Sequence, residues 1–170
     1  MWYVFVVLLV FVACLWIKTK QKGNIVLFGP SGGGKTALFF RLKTGAFVKT
    51  VPSMVENVAT ISWQGALRRV IDVPHHGEIR KFLPNAERVI FVVDGLNCVN
   101  TWTSFLEAVV EENPRVKITV ACNKNDSPLF CRPEELSKTL NEPSKWSLEE
   151  LGVKFVSISV KNGDLKELYF

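Results

Sequence analysis

The segment Gly29-Pro30-Ser31-Gly32-Gly33-Gly34-Lys35-Thr36 has the residue types and spacing of a phosphate-binding loop, G-x-x-x-x-G-K-[ST]. Its glycines let the backbone turn tightly and point successive N–H groups inward, where they bind anionic oxygens. We expect Lys35 to reach the β- and γ-phosphates of a nucleotide, and the Thr36 hydroxyl to be a ligand of Mg²⁺. The alternative is a glycine-rich turn that binds nothing, and this phosphate loop alone does not separate ATP from GTP.

A second chemically specific segment, Asn123-Lys124-Asn125-Asp126, directly follows an apolar run. A carboxylate can accept hydrogen bonds from both N1–H and the exocyclic amine of guanine, whereas adenine offers no such pair of donors on that edge. Asp126 is therefore predicted to select GTP over ATP. Asn123 is expected to brace the loop and approach the purine, and the stem of Lys124 to lie along the ring. In isolation N-K-x-D is common in solvated turns, so its meaning depends on its place in the fold.

Oxygen-bearing side chains for a Mg²⁺ site occur at three positions, Thr36, Ser53 and Asp72. Asp72 ends a β-rich run, which is where nucleotide-binding folds place the carboxylate that holds Mg²⁺, usually through water. Ser53 lies in the connector, residues 46–56, which has no strong periodicity. A hydroxyl in such a connector is a weaker candidate for a second hydroxyl ligand.

The elements that must position these residues alternate between strands and helices. Strands are predicted at residues 25–28, 57–63, 67–73, 88–94, 116–122 and 154–159, and helices after Lys35, over 100–112 and near 134–140. Gln64-Gly65-Ala66 is predicted to join two strands as a hairpin. We therefore predict an α/β fold whose mostly parallel sheet has one antiparallel hairpin strand and helices on both faces. In such a sheet, ligands bind at the carboxyl ends of the strands.

The first 17 of the 170 residues carry no charge and are almost wholly Val, Leu, Phe and Trp. As a helix they would span roughly 26 Å, near the lower limit for crossing a bilayer and suited to the thin membrane of the endoplasmic reticulum. No basic residue precedes this run and no small-residue cleavage pattern follows it. An uncleaved membrane anchor is therefore favoured over a signal peptide or a buried helix. The chain is divided into this anchor (1–17), a basic linker (18–23) and a nucleotide-binding domain (24–170).

Lys18, Lys20 and Lys22 follow the anchor, and the positive-inside rule places the domain after them in the cytosol. The net charge is +5, but we find no basic patch interleaved with aromatic residues, so direct nucleic-acid binding is not predicted. Contact with anionic lipid head groups explains part of the excess. The four cysteines share no C-x-x-C spacing and are expected to be reduced thiols in the core or at the surface.

The order of phosphate loop, connector hydroxyl, D-x-P and N-K-x-D resembles the small GTPases over residues 24–162. Within them the chain is most similar to the Arf-like family of signal recognition particle receptor β subunits. The resemblance is carried by the anchor at 1–17, by Asp72-Val73-Pro74 with His76 and Arg80, by Ala121-Cys122-Asn123-Lys124 and by Ser159-Val160-Lys161. The anchor distinguishes this pattern from Arf proteins proper, which use a lipidated or amphipathic N-terminus.

The resemblance implies GTP and Mg²⁺ as ligands, a first switch at residues 50–53 and a second at residues 72–80. It implies that Ser159 and Val160 lie beside the guanine, with a backbone N–H meeting its carbonyl. It further implies a single-pass protein of the endoplasmic reticulum membrane that docks the receptor's α subunit in its GTP-bound state during cotranslational targeting. Two alternatives stay open: another anchored Arf-like GTPase in vesicle traffic, and a nucleotide-locked scaffold that does not switch.

Two histidines depart from the common small-GTPase pattern. His75 replaces a glycine; its N–H can still meet the γ-phosphate, but the flexible hinge is lost and the flip between states is expected to be restricted. His76 stands where most hydrolytic members carry the glutamine that orients the attacking water, so it is the catalytic candidate and unassisted hydrolysis is expected to be slow. A polar surface loop and a metal site are the alternatives for this pair.

The C-terminal segment is short for this family. After the turn at Asn162-Gly163, Asp164 is predicted to cap a helix of hardly two turns. Such a segment either leaves apolar surface of the sheet exposed or reflects a truncated sequence.

Overall fold

A computed structural model describes residues 23–96, 98–142 and 144–169. The anchor predicted at 1–17, and the linker up to residue 22, lie outside the described residues. Within the described part, no helix is both long enough and apolar enough to cross a bilayer.

A six-stranded sheet forms the centre of the domain. Its strands are β1 (Asn24–Phe28), β2 (Asn57–Trp63), β3 (Ala66–Asp72), β4 (Ala86–Val93), β5 (Lys117–Cys122) and β6 (Lys154–Ser157). They lie in the order β2-β3-β1-β4-β5-β6, and every neighbouring pair is parallel except the antiparallel β2–β3 hairpin. The predicted α/β fold, with a mostly parallel sheet and one antiparallel strand, is confirmed.

Helices cover both faces of this sheet, as predicted. They are α1 (Lys35–Thr44), α2 (Val99–Glu112) and α3 (Pro133–Asn141), with 3-10 turns at Ile79–Lys81, Leu83–Asn85 and Lys166–Tyr169. Helix α1 packs on one face, and α2 and α3 pack on the other. Helix α1 ends at Gly45, whose φ of 74° is left-handed and whose N–H donates to the Arg41 carbonyl.

The core on the α2 side is built around aromatic rings. Phe91 of β4 lies 5.0 Å from Trp102 and 5.2 Å from Phe105, measured between ring centroids, and Phe28 of β1 lies 5.8 Å from Phe105. The strands at the centre of the sheet are apolar on both faces because helices cover both. The carboxyl ends of these strands are thereby fixed at one edge of the sheet.

Most boundaries lie within two residues of those predicted, and two of the differences have a clear structural cause. The hairpin turn consists of Gln64 and Gly65 alone, with φ of 50° and 73°, so Ala66 belongs to β3. Two residues with positive φ match the right-handed twist of the strands, which favours the shorter turn. The last strand ends at Ser157, and Ser159 instead forms an isolated antiparallel bridge with Asp164.

The C-terminal segment also differs from the prediction. Asp164 does not start a helix, because its backbone N–H and carbonyl are both bonded to Ser159 in the bridge. Leu165 and Leu168 are buried on the α1 side of the sheet, and the Tyr169 ring packs 4.9 Å from the Trp63 ring. The short segment therefore covers apolar surface of the sheet.

Three free cysteines lie on the other side of the domain, among the described residues. Burial raises the pKa of the Cys98 thiol to about 11 and that of the Cys122 thiol to about 12. Cys131 is half-buried, and burial raises its pKa as well.

The packing predicts a large difference between two identical substitutions. Leu106 of α2 is fully buried at 0% exposure, whereas Leu129 is 88% exposed. Leu106→Ala should lower the free energy of unfolding by about 2 to 5 kcal/mol through lost burial and a residual cavity. Leu129→Ala should change it by less than about 0.5 kcal/mol. Denaturant titration measures both, and equal losses would contradict this account of the core.

Candidate functional site

The phosphate loop runs from β1 into α1 and lies against the end of β4. A Cβ atom built on Gly29 or on Gly33 would lie 2.5 Å from the Val92 carbonyl oxygen, closer than atoms can approach. Gly29 also has a φ of 133°, in the region that favours glycine. The glycines are therefore required for the close approach of the loop to the sheet as well as for its curvature.

Lys35 begins α1 and is buried. Its Nζ donates hydrogen bonds to the carbonyls of Gly29 at 2.8 Å and Pro30 at 2.7 Å. Burial lowers the pKa of Lys35, and the opposite charge of Asp72 partly offsets that effect. The cation is thus held inside the loop by backbone oxygens, in a position from which phosphate oxygens can replace them.

The predicted magnesium ligands lie close to one another. Asp72, fully buried at the end of β3, accepts at Oδ2 from the Thr36 hydroxyl at 2.9 Å and from Asn57 Nδ2, also at 2.9 Å. Ser53 is linked to this group through Asn57, whose Nδ2 lies 3.1 Å from the Ser53 oxygen. Burial raises the pKa of Asp72, and the two hydrogen bonds and Lys35 oppose the rise.

The surroundings of the other Asp72 oxygen, Oδ1, show whether these residues fit a magnesium ion. This oxygen is buried and has no hydrogen-bond partner among the described residues. A buried carboxylate oxygen without a partner is costly, and a hard cation or its bound water removes that cost. One carboxylate with two hydroxyls nearby is an oxygen set that Mg²⁺ accepts, so the residues present fit this ion.

A cavity of about 120 Å³ opens between the phosphate loop, the connector and the start of the second predicted switch. It is lined by Ser31, Gly32, Gly34, Lys35, Thr36, Thr50, Val51, Pro52, Ser53, Pro74 and His75. This lining does not include Gly29, Pro30 or Gly33. Gly29 and Gly33 are absent from it because they face β4. His76 is exposed and is likewise not among the described residues of the lining.

The two histidines are exposed neighbours whose ring centroids lie 5.1 Å apart, edge to face. Over residues 23–169, leaving aside 97 and 143, no group of three or more His, Cys, Asp and Glu side chains could hold a metal ion. His75 faces the phosphate cavity, and the predicted catalytic role of His76 stays a prediction.

Asp126 is oriented by its neighbours at the other end of the site. Its Oδ1 accepts a hydrogen bond of 2.6 Å from the Ser159 hydroxyl, and Lys161 Nζ lies 3.9 Å from its Oδ2. The Ser159 bond is the largest cause that lowers the pKa of Asp126, and Lys161 and Lys124 add to it. Lys124 has a left-handed φ of 65°, and its Nζ pairs with Asp94. The carboxylate is therefore ionised and fixed at neutral pH.

Asn123 connects the two ends of the site. Its Nδ2 donates to the Gly33 carbonyl at 2.9 Å, and its Oδ1 accepts from the Val160 N–H at 3.1 Å. A second cavity of about 410 Å³ lies here, and it shares Gly32, Gly34 and Thr50 with the first. Its lining comprises Gly32, Gly34, Ala37, Phe47, Lys49, Thr50, Asn123, Lys124, Asp126, Ser127, Val160 and Lys161. The phosphate loop and the Asp126 carboxylate therefore open onto one continuous space.

Several residues of the site have no counterpart among the sequence predictions. Asn57 contacts Asp72, and Phe47 and Lys49 line the larger cavity. Phe47 is 44% exposed, which is unusual for a phenylalanine and indicates a binding surface. This exposure could not be read from the sequence. Asn57 opens a strand and carries no motif, so the sequence offers no signal for it.

Comparison with known proteins agrees with this geometry. Residues 20–144 match the family model described as "Signal recognition particle receptor beta subunit". The chain belongs to this family. As a receptor β-subunit homologue, it is an Arf-like GTPase by descent, and the match includes the phosphate loop, both predicted switches and the N-K-x-D segment.

Relatives of this receptor β-subunit homologue cover different shares of its length. It is 31% identical over 146 residues to "ADP-ribosylation factor-like protein 1" of Saccharomyces cerevisiae, a match that covers 79% of each chain. It is 32% identical over 133 residues to "Signal recognition particle receptor subunit beta" of Rattus norvegicus, covering 69% of this chain and 49% of the rat protein. The match to "ADP-ribosylation factor 3" of Arabidopsis thaliana covers 64% of that protein. The chain thus matches about half of the rat subunit.

A solved structure has the same fold. "The Structure of the Mammalian SRP Receptor" superposes with a TM-score of 0.75 at 23% identity, covering 86% of this chain and 96% of the other.

The contact between Gly34 and Asn123 yields a test of the site's architecture. Gly34 and Gly45 both have left-handed φ, 98° and 74°, but only at Gly34 would a Cβ overlap another group, the Asn123 side-chain nitrogen. Gly45→Ala should cost about 1 to 2 kcal/mol of unfolding free energy for backbone strain. Gly34→Ala should cost about 1 to 3 kcal/mol more, because the displaced Asn123 loses buried hydrogen bonds. Equal losses in denaturant titrations would show that the contact is unimportant.

Proposed function

We propose that this chain binds GTP with Mg²⁺, and that its GTP-bound form docks the α subunit of the signal recognition particle receptor at the endoplasmic reticulum membrane for cotranslational targeting. One observation carries the nucleotide part: the Asp126 carboxylate and the phosphate loop line the same cavity of about 410 Å³. A carboxylate that accepts two hydrogen bonds from guanine, together with a loop that binds phosphates, defines a guanine nucleotide.

In this proposal the backbone N–H groups of residues 31–36 and of His75 bind the phosphates, and Lys35 leaves its carbonyl partners to meet them. Thr36, Ser53 and Asp72 hold Mg²⁺ directly or through water, and the ion neutralises phosphate charge. Each charged group that burial now penalises, Lys35 and Asp72, would gain an opposite charge on binding. Binding therefore relieves a cost that the free protein bears.

At the base end, Asp126 accepts from the guanine N1–H and amine, and the stem of Lys124 covers one face of the ring. The backbone N–H groups of Ser159 and Val160 both have partners already, the Asp164 carbonyl and the Asn123 side chain, so either would have to leave its partner to meet the guanine carbonyl. Ser159 acts on the base through Asp126, since its hydroxyl bonds that carboxylate and Ser159 is not in the described lining of the cavity.

Nucleotide state would be transmitted by the connector, whose residues 50–53 line the phosphate cavity. Val51, Met54 and Val55 are exposed there at 80%, 77% and 69%. Apolar side chains beside a phosphate site suit a partner that binds only when the connector is ordered.

Hydrolysis would be slow, because His76 is exposed and stands apart from the cavity lining.

The membrane part of the proposal is supported by the apolar run at 1–17, by the basic linker and by the family match. The similarity to the yeast Arf-like protein supports a second candidate, an anchored Arf-like GTPase in vesicle traffic. Two measurements on the full chain in detergent micelles distinguish the possibilities. Affinities for GTP, GDP and ATP test the nucleotide: no preference for guanine defeats both candidates. Capture of the receptor α subunit by GTP-loaded but not GDP-loaded protein supports the first candidate, and capture of coat proteins supports the second.

Substitution of the base-reading carboxylate should reverse base preference. Asp126→Asn places an N–H donor where guanine needs an acceptor, and GTP binding should weaken by at least about 30-fold. Xanthosine triphosphate has a carbonyl in place of the guanine amine, so its binding should strengthen. Glu149→Gln is the matched control, because Glu149 is exposed and is not in the described lining of either cavity. Competition binding measures both nucleotides, and parallel losses for both would refute the assignment of Asp126.

Substitution of the buried carboxylate should separate magnesium binding from folding. Asp72→Asn removes a buried charge, but it also removes the opposite charge beside Lys35, so the melting temperature of the nucleotide-free protein should change little. The additional stabilisation that Mg²⁺ gives in the presence of GTP should disappear, which for wild type is about 2.7 kcal/mol at 100 times the dissociation constant. Thermal unfolding with GTP, in Mg²⁺ and in EDTA, tests this. An unchanged increment from Mg²⁺ in the variant would place the ion elsewhere.

A further inference from the structure

Asn57 stands where the connector enters the sheet, and its side-chain amide has two N–H groups pointing at two predicted magnesium ligands. Nδ2 lies 2.9 Å from Asp72 Oδ2 and 3.1 Å from the Ser53 hydroxyl oxygen. One planar amide donates to both, so the connector hydroxyl and the buried carboxylate are joined through a single group.

The bond to Asp72 determines which of its oxygens is available. Oδ2 receives both Thr36 and Asn57, and Oδ1 has no partner among the described residues. Two hydrogen bonds to the same oxygen restrict rotation of the Asp72 carboxylate and leave its Oδ1 available to a cation. Asn57 therefore helps to aim Oδ1 at the space where a cation would be bound.

The bond to Ser53 determines the position of the connector. The Ser53 hydroxyl donates to the Val55 carbonyl at 2.6 Å and accepts from Asn57, which leaves one lone pair of its oxygen for a further ligand. The residues around it, Val51, Met54 and Val55, are highly exposed. In the described structure, this hydroxyl is thus a tether for a segment that buries little apolar surface of its own.

Strand pairing alone does not require this side chain. Asn57 lies opposite Asp72 in the β2–β3 register, and six further residue pairs follow it to the hairpin turn. The hairpin is held by its backbone bonds and by buried Ile61 and Trp63. The side-chain amide of Asn57 is therefore not needed for strand pairing, and it can position the connector.

We propose that Asn57 is a positioning residue that couples order in the connector to cation binding at Asp72, through its simultaneous bonds to Ser53 and to the carboxylate. The part concerning the cation rests on the proposed function. The Ser53 link is a direct bond between two side chains and requires neither nucleotide nor cation. An ordered connector places Asn57 so that it orients the Asp72 carboxylate for a cation. Because coupling is reciprocal, a cation bound at Asp72 in turn stabilises the ordered connector.

Limited trypsin digestion of the full chain tests the link without nucleotide. Lys49 is the one lysine or arginine in the connector, and it is exposed. Asn57→Ala should raise the rate of cleavage after Lys49 by about five-fold, the effect of one lost hydrogen bond. Ser53→Ala should raise it similarly, and the double variant should be no faster than either single variant, because both remove the same link.

A magnesium titration tests the coupling. In Asn57→Ala, the Mg²⁺ concentration that half-maximally slows GTP dissociation should rise at least about five-fold, whereas GTP affinity in EDTA should be unchanged. A residue that served only folding would not move the first value without the second. Asn113→Ala is the matched control: Asn113 Nδ2 also donates twice, to the carbonyls of Leu83 at 2.9 Å and Ala86 at 3.0 Å, far from the connector in the fold. It should lose stability without changing either readout.

The outcomes are distinguishable from failure of the proposed function. If wild type binds GTP in a magnesium-dependent way and Asn57→Ala behaves like Asn113→Ala, this inference is overturned and the proposed function stands. If cleavage rates in the double variant multiply, the two residues act separately and the inference is again overturned. If wild type shows no guanine preference, the proposed function fails, and the digestion of nucleotide-free protein still decides the link between Ser53 and Asn57.

Discussion

The candidate site depends on a buried side-chain amide, that of Asn123, which joins the phosphate loop to the segment after the last strand. It donates to the Gly33 carbonyl and accepts from the Val160 N–H, and the residue is only 4% exposed. Buried hydrogen bonds of this kind are costly to break, so they fix distance as well as orientation. Asn123 thereby helps to fix the phosphate loop relative to the segment beside the base-reading carboxylate.

The two ends of the site are built on different electrostatic terms. At the phosphate end, burial penalises both Lys35 and Asp72 and moves their pKa values in opposite directions, each toward the neutral form. At the base end, Asp126 is stabilised as an anion by Ser159 and nearby lysines. At the phosphate end, burial imposes a cost on two charged groups that a ligand of opposite charge would offset. At the base end, the Asp126 carboxylate is already stabilised by its protein neighbours. Affinity and base selectivity are accordingly governed by separate parts of the molecule.

The sequence predicted the residues whose roles follow from local pattern. The phosphate loop, Asp72 and Asn123 to Asp126 each stand at the carboxyl end of a strand, and the strand order brings these ends to one edge. Pattern failed where tertiary contacts decide. Ser159 was expected in a strand and forms a bridge with Asp164, and Asn57 gains its role only from pairing opposite Asp72. The anchor, although strongly indicated by composition, lies outside the described residues and stays a prediction.

The raised pKa values of the buried thiols have a chemical consequence. The thiolate is the nucleophilic form of cysteine, and at pH 7 a group with a pKa of 11 or 12 is ionised in only about one molecule in 10⁴ to 10⁵. Cys98 and Cys122 are therefore nearly inert toward alkylating reagents and oxidants while the fold is closed. Their burial protects the core beneath α2 and α3, in which both thiols pack, from covalent modification.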